Sequence, residues 1–245
     1  MIITSKSNPL IKTVASLSDK KFRKQLGLYI VEGAKSVKEC IAAGCEAEKI
    51  ICTESYQNEF QESVVVSDAV FKSISTETTP QGVLAIVKIP KNELKPPVGN
   101  CILLDCVQDP GNVGTVIRTA NAAGYDEVYL ISSTDPFSPK AVRASMGGIF
   151  RIKVYCGGRD EVLNCLEGCA LICADMDGEN IFEFSPPEKF CLCIGNEGGG
   201  ISKEVSSRAA YTVKIPMRET CESLNAAVSA GIAMYALKNS INRGN

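Results

Sequence analysis

Five polar residues in three separate stretches of the chain could carry chemistry. Asn112 and Arg118 follow a DPG turn, Glu197 lies in the run NEGGG, and Ser223 and Asn225 precede an Ala-rich segment. Each stretch comes after an apolar run of the kind that forms a buried strand. Because ligands of open α/β sheets bind beyond the carboxyl ends of the strands, we predict that the three stretches form one site.

The glycine-rich stretch GNEGGG at 195–200 resembles a phosphate-binding loop in composition. It has neither the GK[ST] ending of a P-loop nor the GxGxxG spacing of a dinucleotide site, which argues against both kinds of ligand. The glycines instead indicate a place where the backbone comes close to a ligand, with Glu197 at the mouth of the site.

The chain of 245 residues contains no histidine. This absence excludes a Ser-His-Asp triad, a Cys-His dyad, a histidine proton shuttle and an HExxH zinc site. A catalyst built from this sequence must therefore use other side chains, backbone amides or a cofactor.

The 12 cysteines include no CxxC pair, and several lie inside apolar runs such as CILLDC and FCLCIG. A chain of this length builds a core without disulfides, and a thiol packs there as a small hydrophobic group. The N-terminal residues lack the apolar core of a signal peptide, and no apolar run approaches the ~18 residues of a membrane span. We therefore expect a cytoplasmic protein with reduced cysteines, no metal and no membrane segment.

The order of the predicted elements indicates an α/β protein in two parts. The Pro-rich segment KIPKNELKPPVGN favours an extended connection, so we divide the chain into domains 1–95 and 96–245. In the second domain, strands alternate with helices, which predicts a mostly parallel sheet covered on both faces. One of these strands is predicted at 170–175, and Ser223 is predicted to cap the last helix. The first domain is predicted to be a small α/β unit that begins with one long helix, LIKTVASLSDKKFRKQ.

Taken together, the three stretches resemble the motifs of the SpoU-type (TrmH-like) RNA methyltransferases of the SPOUT superfamily. GNVGTVIRTANAAG is similar to the first motif, IGNEGGGIS to the second and IPMRETCESLNAAVSAGIAMY to the third, and they occur in the right order. The first domain is similar to the substrate-binding extension of many family members that act on ribosomal RNA. The resemblance implies that the catalytic residues are Asn112, Arg118, Glu197, Ser223 and Asn225.

This resemblance implies methyl transfer from S-adenosylmethionine to a ribose 2′-hydroxyl, with ribosomal RNA favoured as the substrate. It also implies a deep trefoil knot in the C-terminal parallel-sheet domain, and a homodimer with the active site near its interface. By analogy, the residues expected to bind the cofactor are Ala174, Gly195, Asn196, Gly198, Ile215, Met217 and Leu224.

The proton of the ribose hydroxyl must be removed without histidine. A guanidinium is a poor general base because it stays protonated near neutral pH. We therefore expect Arg118 to contact phosphate or to stabilise the developing alkoxide, while the proton leaves through a neighbouring group or water.

The formal net charge of −2 gives no overall attraction to phosphate, so RNA binding must depend on local charge. The first 40 residues hold eight basic and three acidic residues, which makes this end of the chain positive. The residues expected to bind RNA are Lys12, Lys20, Lys21, Arg23, Lys24, Lys35, Lys38 and, in the second domain, Arg143.

Three alternative functions stay open at this point. The chain could methylate the ribose of a transfer RNA, or a base, as other SPOUT enzymes do. It could also be a non-catalytic RNA-binding or ribosome-assembly factor. The combination of Asn112, Arg118, Ser223 and Asn225 favours the ribose branch, and a purely structural knot would not need this polar set together with Glu197.

Overall fold

A computed structural model describes residues 2–221 and 223–243. It contains two β-sheets, one formed before the Pro-rich segment and one after it. The helices and strands of the N-terminal half are α1 (Pro9–Ser16), α2 (Lys20–Leu26), β1 (Leu28–Glu32), α3 (Ala34–Ala42), β2 (Ala47–Cys52), β3 (Val64–Val65), α4 (Asp68–Ile74) and β4 (Val83–Lys88). The strands form a mixed sheet in the order β1-β4-β2-β3, in which β4 runs antiparallel to β1 and β2.

The single long helix predicted near the N-terminus is wrong, because the segment folds as α1 and α2. Asp19 takes an extended conformation, and its carboxylate accepts a hydrogen bond from the Lys21 N–H at 2.8 Å, which caps α2. Arg23 then donates to the carbonyl oxygens of Leu17 and Ser18 at 2.7 and 2.8 Å. A side chain from the second helix therefore satisfies the last carbonyls before the break.

The C-terminal half is a parallel sheet between two layers of helices. Its elements are β5 (Cys101–Asp105), α5 (Pro110–Ala123), β6 (Glu127–Ile131), α6 (Pro139–Ala144), β7 (Lys153–Gly157), α7 (Arg159–Cys165), β8 (Ala170–Asn180), β9 (Phe190–Ile194), α8 (Lys203–Ser206), β10 (Tyr211–Lys214) and α9 (Ala226–Arg243). The strand order is β10-β8-β9-β5-β6-β7, and every neighbouring pair is parallel.

The burial of both sheet faces explains why the central strands β5, β6 and β9 are largely apolar. One buried cluster includes side chains of α5, α6 and α9, and the cluster on the other face includes side chains of α7 and α8. The helices α5 and α6 approach closely at Gly114, where a Cβ atom would overlap the carbonyl of Ala141. The predicted α/β fold with a parallel sheet is confirmed, and the deep knot stays a prediction.

The strand predicted at 170–175 is longer than expected. After a register shift in β10, Val213 pairs with Glu179 and Lys214 with Asn180, which extends β8 to Asn180. Polar residues beyond 175 hid this extension from a reading based on apolar runs.

The two halves share one buried core. The cluster on the α5 face of the parallel sheet also contains Tyr29 of β1, whose ring lies 5.1 Å from that of Phe137 between centroids. Arg23 reaches across from α2 and forms an ion pair with Asp135 at 2.7 Å. The division at residues 95 and 96 stays a prediction.

No helix among the described residues is long and apolar enough to span a membrane.

Candidate active site

A cavity lies at the carboxyl ends of β9 and β10 and beside the middle of β8, close to where the sequence predicts a site. Six of the seven residues expected to bind the cofactor line it, and the seventh, Gly198, does not. The lining residues are Ala174, Asp175, Met176, Ile194, Gly195, Asn196, Glu197, Gly200, Val213, Lys214, Ile215, Met217, Ser223, Leu224, Ala226 and Ser229.

The glycine-rich loop forms one wall of this cavity and is held by Asn196. The backbones of Asn196 and Gly200 exchange two hydrogen bonds of 2.9 Å. The Asn196 side-chain oxygen accepts from the N–H groups of Gly198 and Gly199 at 2.8 and 3.1 Å. A Cβ atom at Gly195 would overlap the carbonyl of Gly200, so the fold requires glycine there. Gly198 therefore shapes the loop but does not face the cavity.

Three of the five predicted catalytic residues form a chain of hydrogen bonds beside the cavity. The Asn112 amide donates to the Glu197 carboxylate, and the Asn225 amide donates to the Asn112 side-chain oxygen at 3.0 Å. The Asn225 side-chain oxygen accepts from the N–H groups of Ala227 and Val228 at 3.0 and 3.3 Å. The chain fixes the orientation of both asparagine amides, because each donates on one side and accepts on the other. It joins all three motif stretches.

The predicted N-cap of the last helix, Ser223, is two residues too early. Asn225, and not Ser223, holds the first free N–H groups of α9, which begins at Ala226. Ser223 instead lines the cavity and is exposed. Both residue types are good caps, so the local sequence could not separate them.

Arg118 is not brought into this cavity within the chain. It lies on α5 with an exposed side chain, and it has no hydrogen-bond or ion-pair partner among the side chains described, those of residues 2–221 and 223–240. The structure thus groups Asn112, Glu197, Ser223 and Asn225, and it leaves Arg118 on the outer surface of α5.

The start of α5 is fixed by an acidic cap. The Asp109 carboxylate accepts from the Asn112 N–H at 3.0 Å and forms an ion pair with Lys140 at 2.5 Å. The hydrogen bond from Lys140 lowers the pKa of the Asp109 carboxyl, and the bond from the Asn112 backbone adds to the effect. The cap holds the backbone of Asn112, whose side chain joins the hydrogen-bond chain.

A buried carboxylate under the glycine-rich loop was missed by the sequence reasoning. Asp105, at the end of β5, is fully buried, and it accepts a hydrogen bond from the Ser202 N–H at 2.7 Å. Arg159 lies 3.7 Å from the same carboxylate. The next residue, Cys106, accepts from the Asn196 side-chain amide at 2.9 Å through its carbonyl oxygen. The end of β5 therefore holds the loop at both of its ends.

The signal for Asp105 was present in the run CILLD, where a charge directly follows four apolar residues. A buried charge needs a partner, so its presence in a strand that is buried on both faces pointed to a fixed ion pair. The partner, Arg159, could not be identified from the sequence because it lies 54 positions further along the chain.

Seven of the eight predicted RNA-binding residues are exposed, and one, Arg23, is buried. Lys12, Lys20, Lys21, Lys24, Lys35, Lys38 and Arg143 are exposed. Arg143 forms an ion pair with Glu77, Lys38 with Glu59 at 2.5 Å, and Lys35 lies 3.9 Å from Glu39.

Within the described part of the chain, no three acidic, cysteine or histidine side chains are grouped so as to hold a metal ion.

The prediction that Arg23 binds RNA is wrong, because its side chain is buried. Its side chain is 4% exposed, and it is engaged by Asp135 and by two backbone carbonyls. A guanidinium with its hydrogen-bond donors used inside the protein is not available to a phosphate. Arg23 therefore joins the two halves of the chain.

Comparison with protein families identifies the class of protein. The model of the SpoU rRNA Methylase family matches residues 99–235, and the model of the MRM3-like substrate binding domain matches residues 8–85. The chain belongs to the SpoU rRNA methylase family, and the resemblance drawn from its three motifs is confirmed.

Individual relatives resemble the chain over nearly its whole length. It is 31% identical to the 23S rRNA (guanosine(2553)-2′-O)-methyltransferase RlmP of Bacillus subtilis, over 96% of this chain and 98% of that protein. It is 29% identical to the 23S rRNA (adenosine(1067)-2′-O)-methyltransferase of Streptomyces laurentii, over 96% and 94%. The AdoMet-bound rRNA methyltransferase of Sinorhizobium meliloti superposes with a TM-score of 0.88 at 27% identity, over 98% and 97%.

Proposed function

We propose that this protein transfers a methyl group from S-adenosylmethionine to a ribose 2′-hydroxyl of ribosomal RNA. The observation that carries the proposal is the chain from Glu197 through Asn112 to Asn225, which joins all three motif stretches beside one cavity. Relatives that share nearly the whole chain are named as 23S rRNA 2′-O-methyltransferases, and one neighbour is described with AdoMet bound.

The lining of the cavity fits S-adenosylmethionine. Ile215, Leu224 and Ala226 offer apolar surface for a flat aromatic ring, and the loop at Gly195 offers exposed backbone for its polar edges. The carboxylates of Asp175 and Glu197 suit a cationic ligand. When bound, the cofactor supplies a methyl group on a sulfonium centre, which needs no metal or histidine for its activation.

The residues of the chain have to hold and deprotonate the ribose hydroxyl. The hydrogen bonds to Asn225 and Glu197 fix the Asn112 amide, so it can orient a polar group without first losing conformational freedom. The Glu197 carboxylate lies at the mouth of the cavity, where it can accept a hydrogen bond from an incoming hydroxyl. The proton then leaves through this carboxylate or through water.

RNA binding is assigned to the exposed cations of the N-terminal half and to Arg143. The exposed residues of that set are Lys12, Lys20, Lys21, Lys24, Lys35 and Lys38. Because the formal net charge is −2, their attraction to phosphate acts locally and weakens as salt is added.

The protein works as a homodimer in this proposal. Val228, Ile232 and Tyr235 form an apolar stripe along one face of α9, and Val228 and Tyr235 are 50% and 45% exposed. An exposed stripe at this helical spacing is typical of a packing surface. Arg118, which does not reach the cavity of its own chain, would serve the cavity of the partner subunit.

Light scattering of the purified protein tests the dimer. We expect twice the chain mass for the wild type and the single chain mass for Val228→Glu combined with Tyr235→Glu, because charges would be buried in the interface. A monomeric wild type would contradict the dimer.

We also place the protein in the cytoplasm, in accordance with its 12 free cysteines.

Calorimetry with S-adenosylmethionine tests the cofactor. We expect one binding site per chain, with an affinity that falls at least tenfold in Leu224→Arg, because an arginine would fill the cavity that Leu224 lines. Wild-type protein that does not bind S-adenosylmethionine would favour the non-catalytic RNA-binding role.

A further inference from the structure

A second, larger cavity lies between the two halves of the chain. It is an open cleft of about 1390 Å³, compared with the roughly 300–1,000 Å³ of pockets for small molecules. Its walls come from α2 and the end of β4 on one side, and from the loops after β6 and β7 on the other. The cleft therefore exists only where the two halves meet.

The cleft carries an excess of positive charge. Lys20, Lys24 and Lys91 line it and have no ion-pair partner among the described residues, whereas Glu48 is the one lining acid without a partner there. The remaining charges cancel, because Lys88 pairs with Glu46 and Arg23 with Asp135. The far wall adds the hydroxyl groups of Ser132 and Thr134, whereas the Ser133 hydroxyl donates to carbonyl oxygens inside the protein.

The cleft is next to the active-site cavity along the same edge of the parallel sheet. Asn196 lines the cavity, and its amide donates to the Cys106 carbonyl oxygen at 2.9 Å. The Gln108 amide donates to that oxygen at 3.1 Å and to the Ser132 carbonyl oxygen at 2.8 Å. Ser132 lines the cleft. One short segment, 106–108, thus separates the two.

The shape of the cleft is fixed by buried contacts between the halves. The ion pair of Arg23 with Asp135 lies in its wall, and the rings of Tyr29 and Phe137 pack beside it. Because Arg23 is also tied to the carbonyls of Leu17 and Ser18, α2 cannot turn away without breaking several hydrogen bonds of this buried guanidinium.

We propose that the cleft binds the phosphodiester backbone of the RNA and leads it to the active-site cavity. The proposal rests on the proposed function, since it takes RNA as the substrate. Lysine ammonium groups bind phosphates as point charges, and hydroxyl groups add hydrogen bonds to phosphate or sugar. Phe137 is the one aromatic residue among those lining the cleft, and it is buried, so the cleft offers no surface on which bases could stack. Recognition there is of the backbone and not of the sequence.

Lysine acetylation of the wild-type protein, read by mass spectrometry, tests the cleft without any substitution. The probe is a single-stranded RNA of mixed sequence. We expect it to protect Lys20, Lys24 and Lys91 from acetylation, and to leave Lys6 and Lys72 reactive, because these exposed lysines of the same half do not line the cleft. Unprotected cleft lysines would overturn the proposal. Equal protection by inorganic phosphate would also overturn it, in favour of a small-anion site.

Charge reversal provides the second test, with a matched control. Lys20→Glu combined with Lys24→Glu should weaken RNA binding at least tenfold and reduce the slope of log K against log salt by about 1.4, at ~0.7 for each single-strand phosphate contact. Lys6→Glu combined with Lys72→Glu changes the net charge equally, and it should leave the RNA affinity within about twofold of the wild type and the salt slope unchanged. Equal losses in the two double variants would contradict a specific cleft.

The outcome for the cleft can be separated from that for the proposed function. RNA protection of the cleft lysines without methyl transfer by the wild type would refute the function and support the cleft. If the wild type transferred methyl groups but RNA did not protect these lysines from acetylation, the cleft alone would be refuted.

Discussion

At the residue scale, the proposed chemistry depends on side chains whose positions are fixed by hydrogen bonds to one another. Asn112 is the central residue, since it contacts both Glu197 and Asn225. These residues could be predicted from three motifs in the sequence, but their mutual contacts could not, because they lie 85 and 113 positions apart. The same limit applies to Arg23, whose burial depends on Asp135, 112 positions away.

Removing the side chain of Asn112 should affect catalysis more than cofactor binding. In Asn112→Ala we expect kcat to fall about tenfold or more, since a hydrogen bond to a charged group contributes about 1.5–3 kcal/mol. Asn112 does not line the cavity, so the Kd for S-adenosylmethionine should change less than threefold. Thr115→Ala, at an exposed position one turn further along α5, is the control and should keep both values. An unchanged kcat in Asn112→Ala would contradict a catalytic role of the hydrogen bonds that join Glu197, Asn112 and Asn225.

The acidic cap of α5 should make part of the stability depend on pH. Because Lys140 lowers the pKa of Asp109, the ionised carboxylate stabilises the folded state above the unfolded pKa of about 3.9. This contribution is lost as the pH falls through the lowered folded value. Asp109→Asn keeps a capping oxygen but not the charge, so it should be less stable than the wild type at neutral pH and equal to it in acid. Urea unfolding over a pH series measures this, and a pH-independent difference would contradict it.

At the element scale, the glycine-rich loop depends on the end of β5. Asp105 holds Ser202, Cys106 holds Asn196, and Arg159 of α7 balances the buried charge. The order of strands and helices was predictable from their apolar runs, as was the site at the strand ends. The break before Asp19 and the cap at Asn225 were not, because Ser, Asp and Asn are equally good caps and tertiary contacts decide among them.

Neutralising Asp105 should loosen the loop and weaken cofactor binding. We expect Asp105→Asn to raise the Kd for S-adenosylmethionine at least tenfold and to destabilise the fold by about 1–3 kcal/mol, since Arg159 loses its buried partner. Glu127→Gln is the matched control. Glu127 is also buried and pairs with Lys153, but it lies at the amino end of β6, away from the cavity.

The control separates a positioning role from a general loss of stability. Glu127→Gln should also lower the free energy of unfolding, because it removes the ion pair with Lys153 and weakens the hydrogen bond that the Val98 N–H donates to the buried carboxylate. It should keep the wild-type Kd. If both variants lost cofactor affinity equally, Asp105 would act only through overall stability.

At the scale of the whole molecule, the two halves are joined through a shared core and the ion pair of Arg23 with Asp135. The sequence indicated two α/β units and a positive N-terminal end, but not the cleft between them. A net charge of −2 conceals that cleft, because acidic residues elsewhere offset its lysines. The arrangement places the proposed RNA-binding cleft and the cavity proposed for the cofactor along one edge of one sheet.

The most direct test of this account is to find where the methyl group goes. Purified protein is incubated with ribosomal RNA and S-adenosylmethionine labelled in the methyl group, and the RNA is digested to nucleosides for mass spectrometry. We predict label in a 2′-O-methylated nucleoside, and none with Asn112→Ala combined with Glu197→Gln. Label on a base, or no transfer to RNA by protein that binds S-adenosylmethionine, would contradict the proposed ribose methylation.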